Sequence, residues 1–301
     1  MDKYKYKIHG LKVLSEIELD AYPLDFTVPD VVVSICDEVY LTDEIVYKGK
    51  YHIMTDKAVS EYVTGIGTFL IKDGSRINIK PLNNDRRQYV DLYVEGRGLA
   101  PALNQREMLT FHGSAIGYEN SGTIILGESG AGKSSLAIGM IHSGFKFLSD
   151  DLINVESINN NIVVHQGLYS QKLSDKLISK FRLEDYVLRL VLYPGVKHKK
   201  YFVDHRDVLV SEPMRLKNIV IIERHDFPFE ISRITGSEKL RLLFNHFYRK
   251  EFIDYFVPFE KQYEIINNMV KDCNVVLIRR ENGVDSIDQQ VKALNEVLDE
   301  Y

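Results

Sequence analysis

Between positions 127 and 135 the chain reads GESGAGKSS: Gly127, Glu128, Ser129, Gly130, Ala131, Gly132, Lys133, Ser134 and Ser135. A glycine, four residues and then Gly-Lys-Ser is the Walker A spacing of a phosphate-binding loop. The residue types explain the chemistry. Glycines let the backbone come close to an anion, so that its N–H groups point at phosphate oxygens. Lys133 supplies a cation for the β- and γ-phosphates of a nucleotide, and the Ser134 hydroxyl is a ligand for Mg²⁺. Asp150 and Asp151 follow in the stretch GFKFLSDD. Of two carboxylates beside a cation, one can hold the metal and the other can orient or deprotonate an attacking hydroxyl. Adjacent acids resist joint ionisation unless a cation compensates, which favours a functional pair over a solvated turn.

These residues need elements to position them. Thr123–Leu126 (TIIL) predicts a strand entering the loop, and SSLAIGMIHSG a helix leaving it, with Leu136, Ala137, Met140 and Ile141 on one face and Gly144 as the C-terminal cap. Phe145, Phe147 and Leu148 predict a strand that ends at the acid pair. Upstream, FHGSAIGYENSGTIIL reads as two strands about a turn at Tyr118–Gly122. Downstream, strands (KNIVIIE, NVVLIRR) alternate with helices: SEKLRLLFNHFYRKEFIDYF, capped by Ser237; QYEIINNMVKD; and SIDQQVKALNEVLDEY. This alternation predicts an α/β domain. Residues 1–98 look β-rich instead. YKYKIHGLKVLSEIEL alternates, DVVVSIC and QYVDLYVEG read as strands, and GTFLIKDGSRINIK is a hairpin about Asp73-Gly74. The pattern changes at LAPALNQREML, which has helical spacing, so the expected division is 1–98 and 99–301.

Composition excludes several classes. Of the 301 residues, 45% are hydrophobic and 27% charged, the balance of a globular protein with a sizeable core. A net charge of −5 gives no overall field for nucleic acid or an anionic membrane. No run approaches the ~20 apolar residues that span a bilayer. The opening MDKYKYKIHGLKVLSEIELD is too interrupted by charges for a signal peptide, and Cys36 and Cys273 form no metal-ligand spacing. Both cysteines read as reduced, buried thiols, and the expected location is cytoplasmic.

Residues 111–151, with a His-Gly on a strand, the Walker A loop and an Asp-Asp pair in that order, resemble the HPr kinase/phosphorylase family. The resemblance implies a P-loop kinase domain like the nucleotide site of phosphoenolpyruvate carboxykinase, behind a small β-rich N-terminal domain. It implies ATP and Mg²⁺ as cofactors, with a small-protein or peptide serine as acceptor. By motif position, His112 would lie near the transferred phosphate. Lys133 and Ser134 would be the phosphate and metal residues. Asp150 and Asp151 would share the roles of base and metal ligand in either order, Asp151 being set beside Ser134 as ligand. HPr kinases form hexamers, so a homo-oligomer is also implied. Nothing after Asp151 matches the family's E-x-R-G-x-G signature, and EGRGLAP at Glu95–Pro101 precedes the loop and lacks the next glycine. This argues against phosphorylase activity and against HPr as substrate. The chain is more similar to the branch of lasso-peptide kinases, which phosphorylate the C-terminal serine of a precursor peptide. Residues 1–98 would then recognise the acceptor.

Three readings follow: a peptide-serine kinase, an HPr-type kinase/phosphorylase acting as a metabolic sensor, and a nucleotide-binding regulatory protein without transfer. Secondary candidates lie in PGVKHKKYFVDHRD, where Lys197, Lys199, Lys200 and Arg206 could steer an anionic terminus; His198 and His205 could be metal ligands, but no Cys or acid spacing supports zinc. Arg224, after IVIIE, is a candidate phosphate-side residue.

Overall fold

The computed structural model describes residues 3–159, 161–191 and 199–298, with the side chains of 86–88 excepted. Lys197 and His198 lie outside the described residues. The contacts divide the chain into two compact units. One runs to Thr110 and includes Arg249–Phe259; the other holds the described residues from Phe111 to Tyr248 and those from Glu260 onward.

Among the described residues the first unit is a nine-stranded sheet in the order β3-β1-β2-β4-β9-β8-β7-β6-β5. Its strands are β1 (Tyr4–Ile8), β2 (Leu11–Ser15), β3 (Tyr22–Pro23), β4 (Val31–Ile35), β5 (Tyr47–Lys48), β6 (His52–Met54), β7 (Ala58–Val63), β8 (Gly67–Lys72) and β9 (Arg76–Pro81). The hairpin read from Asp73-Gly74 joins β8 to β9, and both residues take the positive φ such a turn needs, 56° and 59°. QYVDLYVEG is a correction. It is helical, as α1 (Asp91–Tyr93) followed by a π segment (Val94–Leu99) and α2 (Ala100–Gln105). Val90 and Val94 are both buried, four residues apart, so helical spacing overrides the apparent alternation. This helical run packs on the first sheet, and so the first unit continues past residue 98 to Thr110. Glu61, 2% exposed, binds Arg97 and Arg249 together, which ties Arg249–Phe259 to this unit.

The second unit is α/β. Its strands are β10 (Leu109–Tyr118), β11 (Ser121–Gly127), β12 (Lys146–Ile158), β13 (Asn161–Val164), β14 (Ser170–Ser174), β15 (Val187–Leu190), β16 (Lys200–Asp204), β17 (Met214–His225), β18 (Glu230–Ile234) and β19 (Asn274–Glu281). Its helices are α3 (Lys133–His142), α4 (Asp175–Phe181), α5 (Glu238–Phe244), α7 (Phe259–Asp272) and α8 (Ile287–Leu298), while α6 (Lys250–Phe256) belongs to the first unit. β10 and β11 form the expected antiparallel pair, with Gly113 opposite Leu126. β11 lies parallel to β17 and β17 parallel to β19, so Gly127 at the end of β11 is in register with Ile222 of β17 and, through it, with Ile278 of β19. β14, β16 and β15 make a separate small sheet.

Helix α3 is buried on two sides. Leu136, Ala137 and Met140 pack with Ile125, Val220, Ile222 and Ile278 of the large sheet and Leu294 of α8. Ile138 packs with Leu173, Phe181, Val203 and Ile287. Fully burying a side chain such as Leu136 or Met140 contributes on the order of 2 kcal/mol, so the helix is held rigidly behind the loop it follows. Two segments differ from their sequence readings. β12 does not end at the acid pair but runs on to Ile158, so Asp150 and Asp151 lie mid-strand. The long helix predicted from Ser237 breaks at 245–249. There Phe247 is buried, packs on Phe111 at 5.3 Å and pairs with it as a β-bridge, and Arg249 takes φ 53°.

Gly127 closes β11 at φ 150°, and a Cβ there would lie 2.5 Å from the Ile222 carbonyl oxygen. Gly127→Ala should cost about 1–3 kcal/mol in denaturant unfolding and remove nucleotide binding measured by titration. Unchanged stability and binding would refute this account of the loop.

Candidate active site

The loop leaves β11 at Gly127 and enters α3 at Gly132, whose φ of 111° suits glycine. It turns on an Ala131 N–H to Glu128 C=O bond of 3.1 Å. The first-turn N–H groups of α3 lack partners within the helix, which makes this end an anion site. Lys133 is 7% exposed and donates to the carbonyls of Gly127 (2.9 Å) and Glu128 (3.0 Å), so its ammonium sits inside the loop. Burial pushes its pKa below the usual lysine range, while the two aspartates oppose that shift. Arg280, at the end of β19, braces the loop from outside. Its Nε donates to the Ala131 carbonyl at 2.7 Å, and its Nη2 and Nη1 reach the Gly130 and Val284 carbonyls at 3.4 Å each.

The acid pair separates into two environments. Asp150 is buried and accepts from Ser114 Oγ (2.5 Å) and Ser134 Oγ (3.0 Å) on the same Oδ1. Burial raises its pKa and the neighbouring Asp151 charge adds to this, against the two hydroxyl bonds. Asp151 faces the other way. Lys172 Nζ donates to its Oδ2 at 2.8 Å, and His112 Nδ1 lies 3.0 Å from its carbonyl oxygen and 3.4 Å from Oδ1. Burial would raise this carboxyl too, but the Lys172 ion pair, with His112 and Lys200, overrides it and holds the pKa at about 2. Asp151 also has φ 75° within a strand, a strained conformation for a residue with a Cβ. Ser134 Oγ donates to Asp150 rather than to Asp151, and the two acids, adjacent on a strand, point to opposite sides.

His112 sits on β10. Its N–H donates to the His246 carbonyl at 3.3 Å and its ring lies 5.8 Å from that of Tyr248, so the break after α5 delivers 246–248 to its side. Between His112 and the start of the loop opens a cavity of about 680 Å³, lined also by Arg224, Arg241, Asn245 and His246. Burial and the Lys133 charge push His246 below the usual histidine range.

Behind Ser134, Gln171 Nε2 donates to its carbonyl at 3.3 Å, and His205 bonds Gln171 Oε1 at 3.0 Å. His205 is buried, packs on Phe147 at 4.6 Å and has its pKa lowered by desolvation to about 4. It is thus a neutral support for the helix start. Arg206 is engaged by Asp204 and covers Tyr169, whereas Lys200 acts electrostatically on both Asp151 and Lys133. Cys273 is buried, but Cys36 is only partly so. Sequence reasoning missed Lys172, Ser114, Gln171 and Arg280. Lys172, Gln171 and Arg280 sit on strands remote from the motif, whereas Ser114 lies two residues after His112 within it; in each case type and spacing carry no signal.

Among the described residues no group of three or more His, Cys, Asp and Glu could hold a metal by itself. The paired oxygens of Ser134 and Asp150 nevertheless fit Mg²⁺, which binds through few protein oxygens and takes the rest from water and phosphate. Among the described residues no helix is long and apolar enough to cross a membrane.

The HPr Serine kinase C-terminal domain family matches residues 104–177. An HPr kinase/phosphorylase of Treponema pallidum (strain Nichols) is 31% identical over 61 residues, 20% of this chain and 19% of the relative. One from Malacoplasma penetrans (strain HF-2) is 31% identical over 91 residues, 30% of this chain and 28% of that one. The chain thus spans only 19% to 28% of the length of these curated relatives. The solved HPr(Ser) kinase/phosphatase from Coxiella burnetii aligns at 14% identity and a TM-score of 0.32, over 64% of this chain and 99% of that one.

Two pH dependences follow from the acid pair. Asp150 must lose its proton to face a cation, and its pKa is raised. The affinity for Mg²⁺–nucleotide should therefore fall as pH drops through that raised value, as calorimetric titration at stepped pH would show. Affinity independent of pH would place the metal elsewhere. For Asp151 the sign is opposite. Removing the strongest opposing cation in Lys172→Met leaves burial opposed only by His112 and Lys200, so the Asp151 carboxyl should titrate higher than in the wild type. The acid limb of any turnover would move to higher pH, and an unmoved limb would show that Lys172 does not set the charge of Asp151.

Proposed function

We propose, taking as premise that the chain is HPr kinase-like over its phosphate loop and acid pair, that it is an ATP-dependent serine kinase. The observation that carries this reading is the division of the acid pair, with one carboxylate against the Ser134 hydroxyl and the other against His112 and Lys172. A binding protein needs no second, strained and permanently ionised carboxylate beside its phosphate loop.

In this reading the nucleotide phosphates lie on the loop N–H groups and Lys133. Ser134 and Asp150 would hold Mg²⁺, which supplies charge neutralisation at the β- and γ-phosphates. The acceptor enters the cavity beside His112 and presents its serine hydroxyl to Asp151. The serine oxygen attacks the γ-phosphorus in line, the bond to the β–γ bridging oxygen breaks, and ADP leaves. The serine proton passes to Asp151. With a pKa of about 2, Asp151 is ionised throughout the physiological range but weakly basic, so it orients the hydroxyl and takes the proton late in the transfer. His112 and Lys172 keep its carboxylate aimed, and Lys133 stabilises charge on the transferred group.

For the acceptor, the absence of an E-x-R-G-x-G signature after Asp151 favours a peptide, with the C-terminal serine of a lasso precursor as the specific candidate. The match over residues 104–177 supports the HPr-type reading equally. The first unit would recognise the acceptor, in a cytoplasmic and homo-oligomeric enzyme. The deciding experiment is phosphate transfer followed by mass spectrometry, with HPr and serine-terminated precursor peptides offered together. Transfer should occur with the wild type and fall by about 10³-fold or more in Asp151→Asn while nucleotide affinity is retained. Asp150→Asn should lose both transfer and Mg²⁺-dependent binding. Phosphate on HPr alone would select the HPr-type enzyme. Tight nucleotide binding with no transfer to any acceptor would support a non-catalytic regulator.

A further inference from the structure

The nine strands of the first unit carry seven lysine and arginine residues and one carboxylate. The carboxylate is Glu61, which lies opposite His52 and Phe69 and is buried with Arg97 and Arg249. Its face also holds Val13, Ile77 and Ile79, all buried, and the helical run packs against it, with Tyr93 6.5 Å from Phe69. Alternation along the strands sends all seven cations to the other face. There Lys7 lies opposite Lys12, Lys5 opposite Leu14, Lys72 opposite Arg76, Lys80 opposite Thr68 and Lys48 opposite Ile53.

Two of these cross-strand neighbours, Lys7 with Lys12 and Lys72 with Arg76, are like charges directly opposed, an arrangement that weakens a strand pair. Loop carboxylates relieve part of the repulsion. Asp25 lies 2.5 Å from Lys5, Asp43 2.8 Å from Lys72 and Asp73 2.7 Å from Arg76. Lys12, Lys48 and Lys80 are exposed and, among the described residues, hold no carboxylate. The chain as a whole has a net charge of −5, so this cationic face is set against the overall sign.

We propose that this face of the first sheet is the docking surface for an acidic polypeptide segment. The three aspartates already seated on it show the chemistry that its cations accept, and the three open lysines extend the same pattern across the sheet. Nucleic acid fits less well. Exposed rings stand only at the two edges, Tyr22 on β3 and Tyr51 and Tyr62 at β6–β7, and the strands between them present none on this face. Bases stack on rings interleaved with cations, and phosphate favours the arginine fork, whereas Arg76 is the one arginine here. The proposal gives a chemistry to the acceptor recognition assigned to the first unit and rests on the kinase reading for that link alone. Docking itself needs neither nucleotide nor transfer.

The test is fluorescence anisotropy of the full chain, without nucleotide, with a labelled peptide of about twelve glutamates. Extended at about 3.3 Å per residue, it is long enough to cross nine strands about 4.8 Å apart. A single-stranded thymidine oligonucleotide of equal length is the comparison. The peptide should bind at about 50 mM salt and weaken several-fold at about 300 mM, as exposed charges require. Replacing the open cations in Lys12→Ser/Lys48→Ser/Lys80→Ser should weaken it by about tenfold. The same change at exposed lysines of the second unit, Lys146→Ser/Lys271→Ser/Lys292→Ser, should leave it within about twofold. No binding of the peptide at low salt, an affinity unchanged in the first variant, or an equal loss in the second would each overturn the proposal. An oligonucleotide bound as tightly as the peptide would overturn it in favour of a nucleic-acid surface. The two wild-type titrations stand whether or not a variant folds. Docking of the peptide by a chain that transfers no phosphate would uphold this surface and remove the kinase reading, and transfer without docking would do the reverse.

Discussion

The hydrogen bond between Ser134 and Asp150 is the contact on which the site depends. It joins the first turn of α3 to β12, the strand that follows it, at atoms sixteen residues apart in the chain. One oxygen of Asp150 takes both Ser134 and Ser114, so β10, β12 and α3 meet at a single buried carboxylate. A buried carboxyl is costly unless it is bonded or neutralised. This group is bonded, yet its pKa remains raised, and a cation would complete its environment.

The neighbouring carboxylate is arranged on the opposite principle. Asp151 is surrounded by positive charge, from Lys172 at 2.8 Å, His112 and the more distant Lys200. The two acids thus have their pKa values pushed in opposite directions although they are adjacent in sequence. Separating two like groups by their surroundings is how a site obtains two functions from one residue type. The positive φ of Asp151 is the local cost of that separation, and burial of the flanking Ser149, Leu152 and Ile153 holds the strand through it.

Rigidity comes from layers behind the site. Arg280 braces the loop from the end of the third parallel strand, and the His205–Gln171 pair braces the start of the helix from the small sheet. Because α3 is buried on both sides, the loop cannot shift without disturbing two cores. The loop therefore stands ready for phosphate with its backbone already in place, as transition-state stabilisation by fixed dipoles requires.

The sequence by itself determined whatever depends on local order. The glycines at Gly127 and Gly132, the strand before them, the helix after them and the nearby Asp pair are adjacent in the chain, and their chemistry follows from type and spacing. The β10–β11 and β8–β9 hairpins were legible for the same reason. Only the tertiary structure decided which aspartate meets Ser134, because alternation along a strand says that the two part but not which way each turns. It alone placed Lys172, Ser114 and Arg280, each brought in from a separate element by sheet pairing. It also overruled two periodic patterns. QYVDLYVEG became helical because Val90 and Val94 bury on one side, and the helix after Ser237 broke because burying Phe247 against Phe111 outweighed continued helical spacing. Local pattern is a weak preference, and burial against a distant partner is the larger free energy.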